Sequence, residues 1–74
     1  MLLVLFPNPT RNFLFIKGID EIAQITIFNV EGKKVIDCSV NFNKVDISQL
    51  GTGLYAVVIK TKTNSFIRKV CKID

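Results

Sequence analysis

The sequence predicts an all-β domain. Seven short apolar runs alternate with turn residues at close intervals, and β-branched and aromatic residues dominate those runs, as a pleated and half-buried surface favours. None of the runs repeats apolar residues at i, i+3, i+4 and i+7, the spacing that gives a helix its buried stripe.

The first run, Leu2 to Phe6, leads into Phe6-Pro7-Asn8-Pro9-Thr10. Two prolines there fix φ and remove two backbone donors, and Pro9 pushes Asn8 toward extended geometry. This segment must leave the sheet, so it predicts a rigid corner before the second run, Asn12 to Lys17. In the third run, Ile22 to Val30, Ala23, Ile25 and Ile27 share one face while Gln24 and Thr26 share the other. Phe28 and Val30 break that phase, and a bulge near Phe28-Asn29 or a partly covered second face accounts for the switch. Val30-Glu31-Gly32-Lys33 then sets Gly32 where a tight hairpin needs positive φ, and the fourth run is Lys33 to Cys38.

The fifth run, Lys44 to Ile47, passes into Asp46-Ile47-Ser48-Gln49-Leu50-Gly51. That stretch reads as a single helical turn capped by Asp46 or Ser48, ended by Gly51 or Gly53, and anchored in the core by Leu50. The sixth run, Leu54 to Thr61, is largely apolar on both faces, with Tyr55, Val57 and Ile59 against Leu54, Ala56, Val58 and Lys60. Such a strand belongs in the middle of a sheet. Lys62-Thr63-Asn64-Ser65 supplies turn residues, with Asn64 tolerant of the left-handed region, and joins it to the last run, Phe66 to Ile73.

At 74 residues the chain suffices for one small domain, spanning 1–74, because so short a polymer buries only roughly 60% of its unfolded surface. It is 49% apolar, too rich for a disordered tail, yet no apolar run approaches the ~20 residues that span a bilayer as a helix. There is no His, which removes Ser-His-Asp and Cys-His nucleophile pairs and imidazole metal ligands. No phosphate-binding glycine loop, HExxH or calcium loop appears, and Asp20-Glu21, the adjacent carboxylates, would point to opposite sides of an extended segment. These absences exclude most hydrolytic chemistry and predict no catalytic residue, metal or cofactor.

Ten Lys and Arg against six Asp and Glu give a net charge of +4, and the excess gathers late, at Lys60, Lys62, Arg68, Lys69 and Lys72. The plainer reading is a solvated strand face with edge lysines that discourage sheet-to-sheet association. The sharper one is a recognition patch for an acidic partner such as nucleic acid, lipopolysaccharide or an acidic protein groove. The phenylalanines Phe6, Phe13, Phe15, Phe28, Phe42 and Phe66 are accompanied by cations, but at strand spacing they read as core rather than as a base-stacking platform, so no nucleic-acid partner is expected. Cys38 and Cys71 lack CxxC spacing and read as small buried hydrophobes, with a disulfide left open for a chain that works outside the cytoplasm.

Taken in order, Phe6-Pro7-Asn8-Pro9, Ile27 to Val35 around Glu31-Gly32-Lys33, Asp46 to Tyr55 with Gly51-Thr52-Gly53-Leu54-Tyr55, and the basic end Arg68 to Ile73 form a combination that is specific although each piece is common. Over essentially the whole chain it resembles the type A C-terminal sorting domain of the type IX (Por) secretion system of Gram-negative bacteria. The resemblance implies a seven-stranded antiparallel immunoglobulin-like β-sandwich at the end of a larger exported protein. It implies a secretion signal rather than an enzyme. Such a domain takes an N-terminal cargo from the periplasm across the outer membrane, where a sortase-like peptidase removes it and the cargo is anchored to the cell surface or released.

By the same resemblance, Pro7, Asn8 and Pro9 match the early motif, Gly32 the hairpin glycine, Gly53 and Tyr55 the Gly-x-Tyr element, and Lys69 and Lys72 the C-terminal lysines. The first six are explained by folding alone, Tyr55 by an apolar ring for the core and a hydroxyl that needs a partner, as in a tyrosine corner. Lys69 and Lys72 are poor core residues. With Arg68 and Ile73 they form the expected recognition set for outer-membrane translocon components, through an exposed strand edge and positive charge. The competing reading is an accessory immunoglobulin-like module of an extracellular enzyme, binding carbohydrate or protein, which an exposed aromatic platform would favour.

Overall fold

The computed structural model describes residues 3–18, 22–38 and 44–74. Seven strands are present among the described residues: β1 (Val4–Phe6), β2 (Phe13–Lys17), β3 (Gln24–Phe28), β4 (Lys34–Cys38), β5 (Lys44–Asp46), β6 (Gly53–Lys60) and β7 (Ser65–Lys72). Each falls on one of the apolar runs, with ends moved by a residue or two as turns claim the termini. They form two antiparallel sheets, one ordered β1-β2-β5 and the other β4-β3-β6-β7. As its two apolar faces require, β6 is interior, flanked by β3 and β7.

Alternation decides what each sheet buries. Leu14, Ile16 and Val45 from the smaller sheet meet Ile25, Ile27, Val57, Ile59 and Val70 from the larger one in a single core. Leu3, Ile22 and Ile47 close its margins. Burying an aliphatic side chain of this size contributes about 1.5–3 kcal/mol, which is why the period-2 pattern fixes the register so firmly. The phase break in the third run is a register shift between Ile27 and Phe28 in the β3–β4 ladder.

The turns follow local chemistry. Gly32 sits at φ +82 in the β3–β4 hairpin, where the Asn29 side-chain oxygen accepts the N–H groups of Glu31 and Lys33, both at 3.0 Å. The stretch after β5 is a hydrogen-bonded turn rather than a helix: Leu50 N–H donates to the Ile47 carbonyl at 3.0 Å, and Asp46 accepts from Ser48 N–H at 2.9 Å. Leu50 is half-buried against the core. Asn64 does not adopt the left-handed region, which among the described residues is reached by glycine alone. The β6–β7 turn is held instead by the Thr61 hydroxyl, which accepts the N–H of Thr63 and of Asn64.

Two expectations need correction. Phe6, Phe13 and Phe15 are not core residues; they stand on the outer face of the smaller sheet with 37–39% of their surface exposed. The reason is parity: Leu14 and Ile16 point inward, so Phe13 and Phe15 point out. Phe28 and Phe66 are half-buried, and Phe42 lies outside the described residues. The cysteines are free and only half-buried. They lie on β4 and β7, strands at opposite edges of one sheet and about 14 Å apart at ordinary strand spacing, and Cys38 is level with Phe66 rather than with Cys71, so the two thiols are well beyond the ~7 Å limit for a bridge.

Candidate recognition surface at the final strand

β7 is an edge strand whose open side is closed over half its length by the proline corner. The corner follows β1, and both of its prolines are preceded by cis peptide bonds. Asn8 donates its side-chain amide to the Lys69 carbonyl at 3.2 Å and accepts the N–H of Cys71 at 3.0 Å. Thr10 continues the bracket, its N–H donating to the Cys71 carbonyl at 2.8 Å and its carbonyl accepting from Ile73 N–H at 2.9 Å. The result is a short parallel bridge between Thr10 and Lys72 that ties the first sheet to the last strand of the second.

Thr10 is 1% exposed, and its hydroxyl donates to the Phe13 carbonyl at 2.6 Å. Sequence reasoning passed over this residue. A Thr directly after a proline corner is a weak signal on its own, and its partners lie at the far end of the chain.

From Ser65 to Arg68 no strand lies on the side of β7 away from β6 among the described residues. Arg68 turns its guanidinium back onto the Ile67 carbonyl at 2.9 Å, blunting one acceptor of that stretch. On the outer face, Ile67 opposite Val58, Lys69 opposite Ala56 and Cys71 opposite Leu54 form a continuous surface. Ile67 and Leu54 are 64% and 57% exposed there. Beside them an open groove of about 310 Å³ is lined by Asn29, Val30, Leu54, Tyr55, Ala56 and Lys69.

Residues 4–73 match the family described as the secretion system C-terminal sorting domain. The chain belongs to that family, the type IX sorting domains. Among curated proteins none matches the sequence at a significant level. Among solved structures the fold is similar, at a TM-score of 0.75 and 18% identity, to PorZ, a bacterial surface component of the type-IX secretion system of Porphyromonas gingivalis. The likeness covers 97% of this chain and 11% of that one, so the sorting domain corresponds to a small part of the PorZ chain. The family makes this chain a sorting signal for export toward the cell surface or beyond it.

Within the sorting domain, the ten positions singled out from sequence do not form one surface. Pro7, Asn8 and Pro9 make the corner and Gly32 the hairpin. Gly53 opens β6 at φ +144. Tyr55 is half-buried against the core, with its hydroxyl donating to the Gly51 carbonyl at 2.7 Å. The expected cationic set divides. Lys69 lies exposed on the outer face, Arg68 points to the opposite side, and Ile73 is half-buried beside the corner.

Lys72, expected at the surface, is 5% exposed, and its ammonium donates to the Ile73 carbonyl at 3.1 Å. Three positions separate it from Lys69, and an odd separation on a strand sends two side chains to opposite faces. A long aliphatic stem lets a lysine be covered in this way while its charged end still finds a backbone oxygen. No helix among the described residues is long and apolar enough to cross a membrane. Asp20 and Glu21 lie outside the described residues.

Proposed function

We propose that the domain is the address by which a cargo joined to its N-terminal side is taken from the periplasm across the outer membrane by type IX components. In this reading a sortase-like peptidase removes the domain at the cell surface, and the cargo is then anchored there or released. The two facing sheets and the Tyr55 hydroxyl bonded four residues back to Gly51 support an immunoglobulin-like assignment of the sandwich.

The observation that carries the recognition step is the division of β7 into a closed half and an open half. The closed half, Lys69 to Ile73, has its outward carbonyls and N–H groups occupied by Asn8 and Thr10. The open half, Ser65 to Arg68, keeps backbone groups and the apolar Ile67 within reach of a translocon component, with the Lys69 side chain exposed beside it on the same outer face. Strand addition along an edge draws affinity from backbone bonds and specificity from alternate side chains. Of the set Arg68, Lys69, Lys72 and Ile73, this assigns direct contact to Lys69 and a supporting role to Arg68, Lys72 and Ile73.

The test is a fluorescent reporter fused ahead of the domain in a host with the secretion system. Deleting β7 would also remove Val70 from the core and cannot separate recognition from folding. Lys69→Glu and Ile67→Lys, on an exposed face, are expected to leave a folded reporter in the periplasm, and Lys72→Met is expected to be displayed normally. Normal surface display of Lys69→Glu and Ile67→Lys would overturn the assignment.

A further inference from the structure

The three phenylalanines that the sequence placed in the core form a second surface, on the far side of the molecule from the open face of β6 and β7. Across the smaller sheet, Phe6 on β1 pairs with Phe15 on β2, and Phe15 pairs with Lys44 on β5. The Phe6 and Phe15 rings stack at 5.5 Å between centroids with planes 23° apart. The Lys44 ammonium sits 4.2 Å from the Phe13 centroid and 5.9 Å from that of Phe15, and Lys17 sits 5.9 Å from Phe6. Next to the rings, Arg11 and Phe13 line an open groove of about 450 Å³ against Pro7, Pro9 and Ile73.

We propose that this Phe6-Phe13-Phe15 face with Lys17 and Lys44 docks an acidic protein segment that carries apolar side chains. The arrangement of the rings selects that class. Phe15 has Phe6 stacked against it on the β1 side and Lys44 on the β5 side, and Phe13 has Lys44 over its ring. A sugar or a nucleobase binds an aromatic platform by lying on a ring face, a position for which the Phe6–Phe15 stack and the Lys44 ammonium compete.

Ring edges carry partial positive charge, and the ammoniums beside them add to it, which suits a carboxylate. Among the described strand residues of this sheet Asp46, opposite Phe13, is the one carboxylate on this side, against Lys17 and Lys44, while the neighbouring Arg11 donates to the Asp74 carbonyl at 3.0 Å. A second copy of the chain would bring the same cations face to face and is disfavoured by that repulsion. The surface is independent of Lys69 and of the open edge of β7.

The test is a titration of the ¹⁵N-labelled domain with a synthetic peptide in which Glu and Asp alternate with Leu and Phe. The controls are the same peptide with Lys at the acidic positions and an oligogalacturonate. The expected result is shifts confined to the amides of Phe13 to Lys17 and Lys44 to Asp46 with the acidic peptide alone. Phe15→Ser should weaken binding at least tenfold, Lys44→Glu should weaken the acidic peptide and admit the basic one, and the resonances of Val57 and Ile59 should stay in place in both variants. Binding of the basic peptide by the unmodified domain, preference for the oligogalacturonate, absence of shifts at this face, or a concentration-dependent dimer through it would each overturn the proposal.

Discussion

The Asn8 side-chain oxygen accepts the backbone N–H of Cys71 at 3.0 Å, joining residues 63 positions apart in the chain. The same amide group donates to the Lys69 carbonyl, so one side chain stands in for a neighbouring strand along this part of the edge. The proline corner therefore does more than turn the chain: it sets where the exposed edge of β7 ends. Asn8→Ala should lower stability by about 1–2 kcal/mol, and Asn8→Asp by less, because a carboxylate still accepts from Cys71 although it cannot donate to Lys69. Urea denaturation should show a lower midpoint at unchanged slope, and amide exchange at Cys71 should accelerate in Asn8→Ala.

Gly32 and Gly53 both occupy positive φ, and open space surrounds the position where either would carry a Cβ. Any cost of substitution is thus one of backbone conformation, not collision. Gly32→Val should cost more than about 1 kcal/mol, and Gly32→Asn should cost less, since Asn visits the left-handed region more readily. The difference in thermal midpoint between those two variants measures the conformational component.

Tyr55 separates into a ring and a hydroxyl. Tyr55→Phe keeps the ring against the core but frees the Gly51 carbonyl, which should cost about 1 kcal/mol, or roughly 4–8 °C in midpoint for a domain this small. Ile59→Ala, at a fully buried position, should cost about 2–5 kcal/mol and approach the whole stability of the domain. Circular dichroism melts of the two variants should rank in that order.

Asp37 is held below its ordinary value of 3.8 by the Gln24 side-chain amide first and by the Lys34 ammonium at 3.2 Å second. Asp46 is lowered as well, chiefly by its hydrogen bonds with Ser48. A carboxyl whose folded pKa is depressed adds stability above its unfolded pKa and loses it as pH falls through the folded one. Stability should therefore be flat above about pH 5 and decline below about pH 4. Asp37→Asn should flatten that acid limb, a change read from melts between pH 2 and pH 6.

Lys72 offers a check on burial against recognition. With its ammonium bonded only to the Ile73 carbonyl, Lys72→Met should fold with stability within about 1 kcal/mol of the parent. Lys72→Glu would set a carboxylate against a carbonyl oxygen in a covered site and should destabilise by about 2 kcal/mol or more. A melt on the isolated domain distinguishes this from a purely surface role, in which neither change would register.

The strand runs, the interior position of β6, the hairpin at Gly32 and the family were legible in the residues, because each depends on local periodicity or on glycine and proline chemistry; the phase break at Phe28 was legible too, but a bulge and a covered second face both remained open there, and the structure has a register shift together with a buried Thr26. The sequence also contained two facts that residue type obscured. Leu14 and Ile16 in the core force Phe13 and Phe15 outward, and the odd spacing of Lys69 and Lys72 sends them to opposite faces. Parity along a strand was a better guide there than hydrophobicity or charge.

Which remote segments meet is settled by tertiary closure. Neither Asn8 with Cys71, nor Thr10 with Lys72, nor Phe15 with Lys44 is within reach of any periodicity argument, since antiparallel pairing and sheet order are set by how the two sheets close over one core. That closure buries Lys72, keeps the cysteines apart, and leaves exposed the Ser65 to Arg68 edge of β7 and the aromatic face of the smaller sheet.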